Sequence, residues 1–208
     1  MSFRGLRRAV ANGWMVVGSM LLAASAWGFT PGKDGVGTIT AANTVVNTYT
    51  TLNAPASAGD FAITVGSAAG ITPGDLLLVY QARGASMTGT NNSAFGSYTL
   101  ANAGRFEYVN VLSVSGNQIT ISDACSPGLR YSYDGAATAG SLRAQVIRVP
   151  QYSALTVSGS GSIVAPAWNG TTGGVVAVWV QGAAALGGSG INVSHSEFRI
   201  RDLMHHEQ

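Results

Sequence analysis

Between Gln145 and Val193 the chain is a succession of very short β-prone runs. They are Val146-Ile147-Arg148-Val149, Leu155-Thr156-Val157, Ser162-Ile163-Val164, Val175 to Val180, Ala184-Ala185-Leu186 and Ile191-Asn192-Val193, most of them separated by glycine-rich turns. Runs this short cannot bury a face alone, so they must stack, either in a sandwich or as coils of a β-solenoid. The small spacing and the lack of long connections favour coils. Composition agrees. The chain has 28 glycines and only 10% charged residues, against about 25% in an average globular domain. Its apolar content is too high for a disordered chain.

Upstream the runs are longer. Phe61 to Val65 alternates apolar and small or polar residues, and Ile71-Thr72-Pro73-Gly74-Asp75 is turn chemistry, with proline fixing φ and glycine supplying freedom. Leu76-Leu77-Leu78-Val79-Tyr80 is continuously apolar, which predicts a strand buried on both faces. Arg105 to Val114 and Gln118 to Ser122 flank Gly116-Asn117, a two-residue hairpin signal. Gly84 to Ala103 reads as a long polar loop. No helix is needed. The expected fold is all-β: a small β-barrel or β-sandwich-like unit followed by short-stranded β-solenoid coils. The expected division is a signal peptide (1–26), an irregular leader with short strands (27–58), a small β domain (59–140), solenoid-like coils (141–194) and an atypical tail (195–208). The tail holds all three histidines and no glycine. It reads either as a polar tail or as the product of a truncated or shifted reading frame.

The N-terminus has the three parts of a secretion signal. Arg4, Arg7 and Arg8 precede the apolar run Trp14 to Ala24, and Ala24-Ser25-Ala26 fits the small-residue cleavage pattern. The run is short of the roughly 20 apolar residues that span a membrane, which favours cleavage at Ala24 and Ala26 over an anchor. Cleavage changes the charge. The chain has 11 Lys+Arg and 9 Asp+Glu; three arginines and no acid lie in the signal, leaving eight bases against nine acids, a net −1. With one lysine, Lys33, and no basic stripe, nucleic acid is not an expected partner. Membrane contact is expected only through the signal peptide. The single cysteine, Cys125, rules out an internal disulfide framework; it reads as a small partly buried hydrophobe rather than an intermolecular bridge.

Few residues suggest catalysis. Between Asp134 and Glu197 there is no acid, whereas a glycosidase needs two carboxylates across the scissile bond. Asp75 reads as a turn residue. Arg105 and Glu107 alternate onto one strand face and read as a surface ion pair. The histidines lie only in the tail, His205 and His206 are adjacent rather than one helical turn apart, and no calcium loop or phosphate loop occurs. No cofactor, metal or catalytic residue is expected. The aromatics Trp168 and Trp179, with several tyrosines, are candidates for stacking on sugar rings, although large aromatics more often pack in a core.

The run Gly74 to Gly84 (GDLLLVYQARG), then Asn91 to Gly96, Asn102 to Val109, Val146 to Tyr152 and Ala165 to Val175 occur in an order that resembles the N-terminal region of glycine-rich surface proteins of myxobacteria and their relatives. Some of those proteins are linked to adventurous gliding motility or adhesion. The resemblance covers roughly residues 60–194. It departs at Glu197-Phe198-Arg199-Ile200-Arg201, where the family carries a Gly-Phe-Arg-Gly-Gly-like segment. It implies a non-catalytic structural or adhesive module at the cell surface, outer membrane or outside the cell, with surface glycans or other envelope proteins as partners. The alternative reading is a carbohydrate-binding or carbohydrate-processing fragment.

Overall fold

The computed structural model describes residues 30–122, 128–135, 142–187, 190–192 and 197–201, and these are all-β. The strands are β1 (Val36–Ile39), β2 (Thr48–Thr51), β3 (Ala62–Thr64), β4 (Leu76–Arg83), β5 (Ser86–Met87), β6 (Tyr98–Thr99), β7 (Phe106–Ser115), β8 (Gln118–Ser122), β9 (Arg143–Val149), β10 (Gln151–Tyr152), β11 (Ala154–Val157), β12 (Ile163–Val164), β13 (Val175–Val180), β14 (Ala184–Leu186), β15 (Ile191–Asn192) and β16 (Glu197–Arg201).

Six of them form an antiparallel sheet in the order β2-β9-β4-β7-β8-β3. The sheet curls until its two edges meet. Leu52 bridges Val65, the Asn53 N–H donates to the Thr64 carbonyl, and the Gly66 N–H donates to the Thr51 carbonyl. The result is a small barrel with no open edge along this seam. Alternation fills its interior with Leu52, Ile63, Leu77, Val79, Val109 and Ile119, among others, each worth roughly 1.5–3 kcal/mol by burial. The β7–β8 hairpin turns at Gly116, which takes φ 57°.

The remaining strands pair in parallel, in three stacks. β1, β11 and β14 form one; Thr44, β12 and β15 a second; β10, β13 and β16 a third. Stacks of parallel strands joined by short turns are β-solenoid coils. Leu155, Val157, Ile163, Val176 and Val180 fill their interior.

Strands β4 and β13 join the two parts. On β4, Leu77 and Val79 point into the barrel, while Leu76 and Leu78 point out against Val175 and Ala177 of β13. The continuous apolar run of β4 is therefore buried on both faces, and β13, with Val176 and Val180 turned into the coils, is as well. Polar side chains register this joint. The Asn47 amide donates to the Ala177 and Arg148 carbonyls and accepts the Ala177 N–H, and the Tyr49 hydroxyl donates to the Val175 carbonyl.

The order of the parts differs from the sequence expectation. The barrel does not precede the coils; it is inserted into them. The first coil begins at Val36 in parallel with β11, Val36 opposite Ala154. The chain leaves after Thr44, builds the barrel from β2 to β9, and returns at Gln151. The short strands expected within 27–58 are a coil strand, β1, and a barrel strand, β2. The boundary at 141 also moves, because β9 pairs with β2 and β4 and belongs to the barrel. In the tail, Glu197–Arg201 forms β16 alongside β13.

Candidate functional site

The barrel has two ends of different chemistry. The first lies where β4 begins. Pro73 and Gly74, the latter at φ 85°, turn the chain so that the Asp75 carboxylate points inward, with a side-chain exposure of 0%. It accepts hydrogen bonds from the Thr72 N–H (2.6 Å), the Thr72 hydroxyl (3.1 Å), Lys33 Nζ (2.6 Å) and Arg148 Nη2 (3.0 Å). Arg148 Nη2 also donates to Asp34 Oδ1 at 2.6 Å, and Asp34 Oδ2 accepts the Gln151 N–H. The buried Gln151 amide closes the set, accepting the Leu76 N–H and donating to the Thr30 and Gly74 carbonyls. Burial pulls the Asp75 pKa upward, but the hydrogen bonds from Arg148, Lys33 and Thr72 outweigh it and hold the carboxyl below its ordinary range. Burial likewise pulls Arg148 down, and its bonds to Asp75 and Asp34 push it higher overall. This cluster ties the N-terminal turn, the barrel and the returning chain together. Chemically it is a clasp, with its charges directed at one another.

The opposite end lies where β4 stops and β9 starts. Here Glu107 is buried, and its two carboxylate oxygens accept the Arg130 and Tyr131 N–H groups. It holds the 128–135 strap against β7, so the surface ion pair with Arg105 expected from sequence gives way to a backbone anchor. The reason is that Glu107 shares its strand face with Val109 and Val111 of the barrel interior, where Leu129 and Tyr133 of the strap also pack. Arg105 instead lies over the Tyr131 ring, 5.8 Å from its centre. Gln81 holds the same strap, its Oε1 accepting the Asp134 N–H. Arg83 and Arg143 are directly opposite each other across β4 and β9.

From this end a hairpin arm projects, built by β5 and β6 within the segment expected to be a loop. Met87 pairs with Tyr98, and both are 72% exposed; Leu100, two residues on, and Phe95 are also exposed. Residues 84–104 include no charged side chain. The coil loop 166–174 reaches the same end. The Gln145 amide donates to the Gly173 carbonyl and accepts the Gly173 N–H. Gly173 is required there, since a Cβ would lie 2.7 Å from the Ala167 carbonyl oxygen. Asn169 Oδ1 accepts the Thr171 and Thr172 N–H groups and sets the loop, which carries Trp168, 36% exposed.

The two tryptophans singled out from sequence are thus parted. Trp168 sits before the start of β13, on the arm side. Trp179 sits near its other terminus, opposite Gln151 and half-buried against the cluster between barrel and coils. Ala24, Ala26, Cys125 and the three histidines lie outside the described residues. Among the described residues no group of three His, Cys, Asp or Glu side chains is placed to hold a metal ion. The anchoring roles of Asp75, Glu107, Gln81, Gln145 and Gln151 carry no local sequence signal except that each lies within or beside an apolar run.

No protein-family model matches the chain, and no curated protein matches it. Solved structures similar to it include three phage tailspikes. The tailspike gp61 of Pseudomonas phage phi297 is 19% identical over 66% of this chain and 20% of its own, with a TM-score of 0.34. The tailspike gp49 of Pseudomonas phage LKA1 is 16% identical over 76% of this chain and 32% of its own, TM-score 0.32. The gp54 tailspike of Acinetobacter baumannii bacteriophage AP22, solved with a capsular saccharide, is 14% identical over 80% of this chain and 38% of its own, TM-score 0.31. The chain spans well under two thirds of each. The fold is a β-solenoid with an inserted β-barrel.

Proposed function

We propose that the chain is an exported, non-catalytic structural and adhesive module of the cell surface. One observation carries the reading. Every carboxylate whose side chain is described is engaged inside the protein: Asp34 and Asp75 in the clasp, Asp60 with the Ser57 N–H, Glu107 with the strap, and Asp134 with Asn102. Carboxylates committed to backbone and cation partners hold a scaffold together. They are not poised across an open cleft, as general acid and base must be. The signal-peptide pattern around Arg4 to Ala26 supports export, and the resemblance to glycine-rich myxobacterial surface proteins supports a role in adhesion or gliding motility. A carbohydrate-binding role is the second reading, favoured by the exposed aromatics of the arm end.

The test is immunolabelling of intact cells together with the mass of the mature chain. Surface signal and a chain shortened near Ala26 are the expected results. A chain that stays in the cytoplasm with its leader intact overturns the reading.

A further inference from the structure

We infer that the hairpin arm of residues 84–104 lies on a lipid surface, with its apolar face among the acyl chains and its neck among anionic headgroups. This goes beyond the proposed function. It adds a peripheral membrane contact to the one expected from the signal peptide.

Register makes the arm amphipathic. Ser86 pairs with Thr99, and Met87 with Tyr98. Side chains directly opposite in an antiparallel pair share a face, and successive ones alternate. Met87 and Tyr98 therefore lie on one face, with Leu100 two residues further along, while Ser86 and Thr99 lie on the other. Nothing covers the apolar face: Met87 and Tyr98 are 72% exposed and Leu100 58%, and Phe95 at the far end of the arm is 67% exposed. The polar face is exposed as well. A two-stranded ribbon open to water on both faces is marginal. One that is apolar on one side and polar on the other suits the boundary between an apolar phase and water, as amphipathic helices do.

Backbone and charge follow the same layering. The Thr88 N–H donates to the Ser97 carbonyl, the Gly96 N–H to the Thr88 carbonyl and the Ala94 N–H to Asn92 Oδ1, so these groups enter an apolar phase already paired. Residues 84–104 carry no charge, and the residues that bracket them, Arg83 and Arg105, are both exposed. The Gln81 N–H donates to the Arg105 carbonyl and the Gly104 N–H to the Gln81 carbonyl, which holds Arg105 beside the end of β4 where Arg83 lies. Cations at the neck of an uncharged apolar arm match phosphates lying above acyl chains.

A second copy of the chain is the poorer fit. Met87, Phe95, Tyr98 and Leu100 together expose on the order of 400 Å² of apolar surface. Two arms face to face bury under about 1,000 Å², short of the roughly 1,200–2,000 Å² of a stable pair. A bilayer needs no matched surface. A sugar also fits less well, since sugar sites set polar groups beside their aromatic rings, and here the Ser86 and Thr99 hydroxyls lie on the face opposite Tyr98.

The experiment reads the arm face by face. In a Cys125→Ser chain, Met87→Cys or Thr99→Cys is labelled with the environment-sensitive fluorophore nitrobenzoxadiazole. Each is mixed with phosphatidylcholine vesicles, with vesicles of equal parts phosphatidylcholine and phosphatidylglycerol, and with cellohexaose. Labelled Met87→Cys is expected to brighten and shift to the blue on the anionic vesicles, while labelled Thr99→Cys keeps its aqueous emission. The leader is common to both and does not affect the comparison. Tyr98→Ser with Leu100→Ser should weaken partitioning at least about tenfold through loss of two apolar side chains. Arg83→Gln with Arg105→Gln should weaken partitioning onto anionic vesicles about tenfold or more and leave neutral vesicles unchanged. Unchanged unfolding midpoints confirm that these exposed changes leave the fold intact. No response at Met87 on either vesicle, or equal responses at Met87 and Thr99, overturns the inference. Equal partitioning onto both vesicles overturns the part given to the arginines. A chain that sediments as a dimer without lipid, and as a monomer after Tyr98→Ser with Leu100→Ser, overturns it in favour of a second copy. A Met87 response to cellohexaose and not to vesicles overturns it in favour of a glycan. The cell-labelling result is independent: a surface-exposed chain whose arm ignores vesicles sinks only this inference, and a vesicle-binding chain confined to the cytoplasm sinks only the proposed function.

Discussion

Replacing Asp75 by Asn removes one negative charge from the clasp with almost no change in shape. In the native chain the buried carboxylate takes four hydrogen bonds, two of them from Lys33 and Arg148. An amide keeps one acceptor oxygen but turns N–H donors toward a cation. Breaking one partner of a buried ion pair costs about 3–5 kcal/mol. The low end applies, because Lys33 reaches solvent and Arg148 keeps Asp34. A loss of about 3 kcal/mol lowers Tm by roughly 6–12 °C for a chain of this size. Urea denaturation at pH 7 gives the free energy, with Asp60→Asn at an exposed turn as the control, expected within about 1 kcal/mol of wild type. The pH dependence gives a second reading. Asp75 is held below its ordinary range, so its stabilisation is fully present above about pH 4 and is lost as pH falls through the lowered value. The gap between wild type and variant should stay constant from neutral pH to about pH 5 and close in stronger acid. A variant within about 1 kcal/mol of wild type at pH 7, or a gap that widens in acid, refutes the clasp.

Three further substitutions address the joint and the tryptophans. Asn47→Ala leaves the Ala177 N–H and carbonyl without their buried partner and should cost about 2 kcal/mol or more, read by the same denaturation assay. Trp179→Ala should lower stability by about 2–4 kcal/mol through loss of packing between barrel and coils, while Trp168→Ala should stay within about 0.5 kcal/mol.

Much of the local structure was legible because it follows from short-range rules. The all-β class, the two-sided burial of Leu76 to Tyr80, the turn at Gly116 and the strand runs from Leu155 to Ile191 all follow from alternation and turn chemistry. What was not legible depends on partners far away in the chain. β1 looks like part of an irregular leader until it meets β11, 118 residues on at Val36 and Ala154. β9 resembles a coil strand in composition, and only its pairing with β2 and β4 assigns it to the barrel. Glu107 looked like one half of an exposed ion pair because the strap that covers it lies 23 residues further on. The aromatics could be nominated from sequence, but which of them faces solvent depends on the joint. Trp179 fills it and Trp168 projects beyond it.

The scaffold exists only if the first coil stacks on the second across the inserted barrel. Thr38 and Thr156 are exposed partners in parallel strands, which places their Cα atoms about 4.8 Å apart, inside the range a disulfide can bridge. In a Cys125→Ser background, Thr38→Cys with Thr156→Cys should form a disulfide under mild oxidation, read as the loss of both free thiols and faster migration on a non-reducing gel. Thr38→Cys paired with Thr99→Cys, on the distant arm, should keep both thiols free. A first pair that stays reduced under the same conditions contradicts the inserted-barrel solenoid.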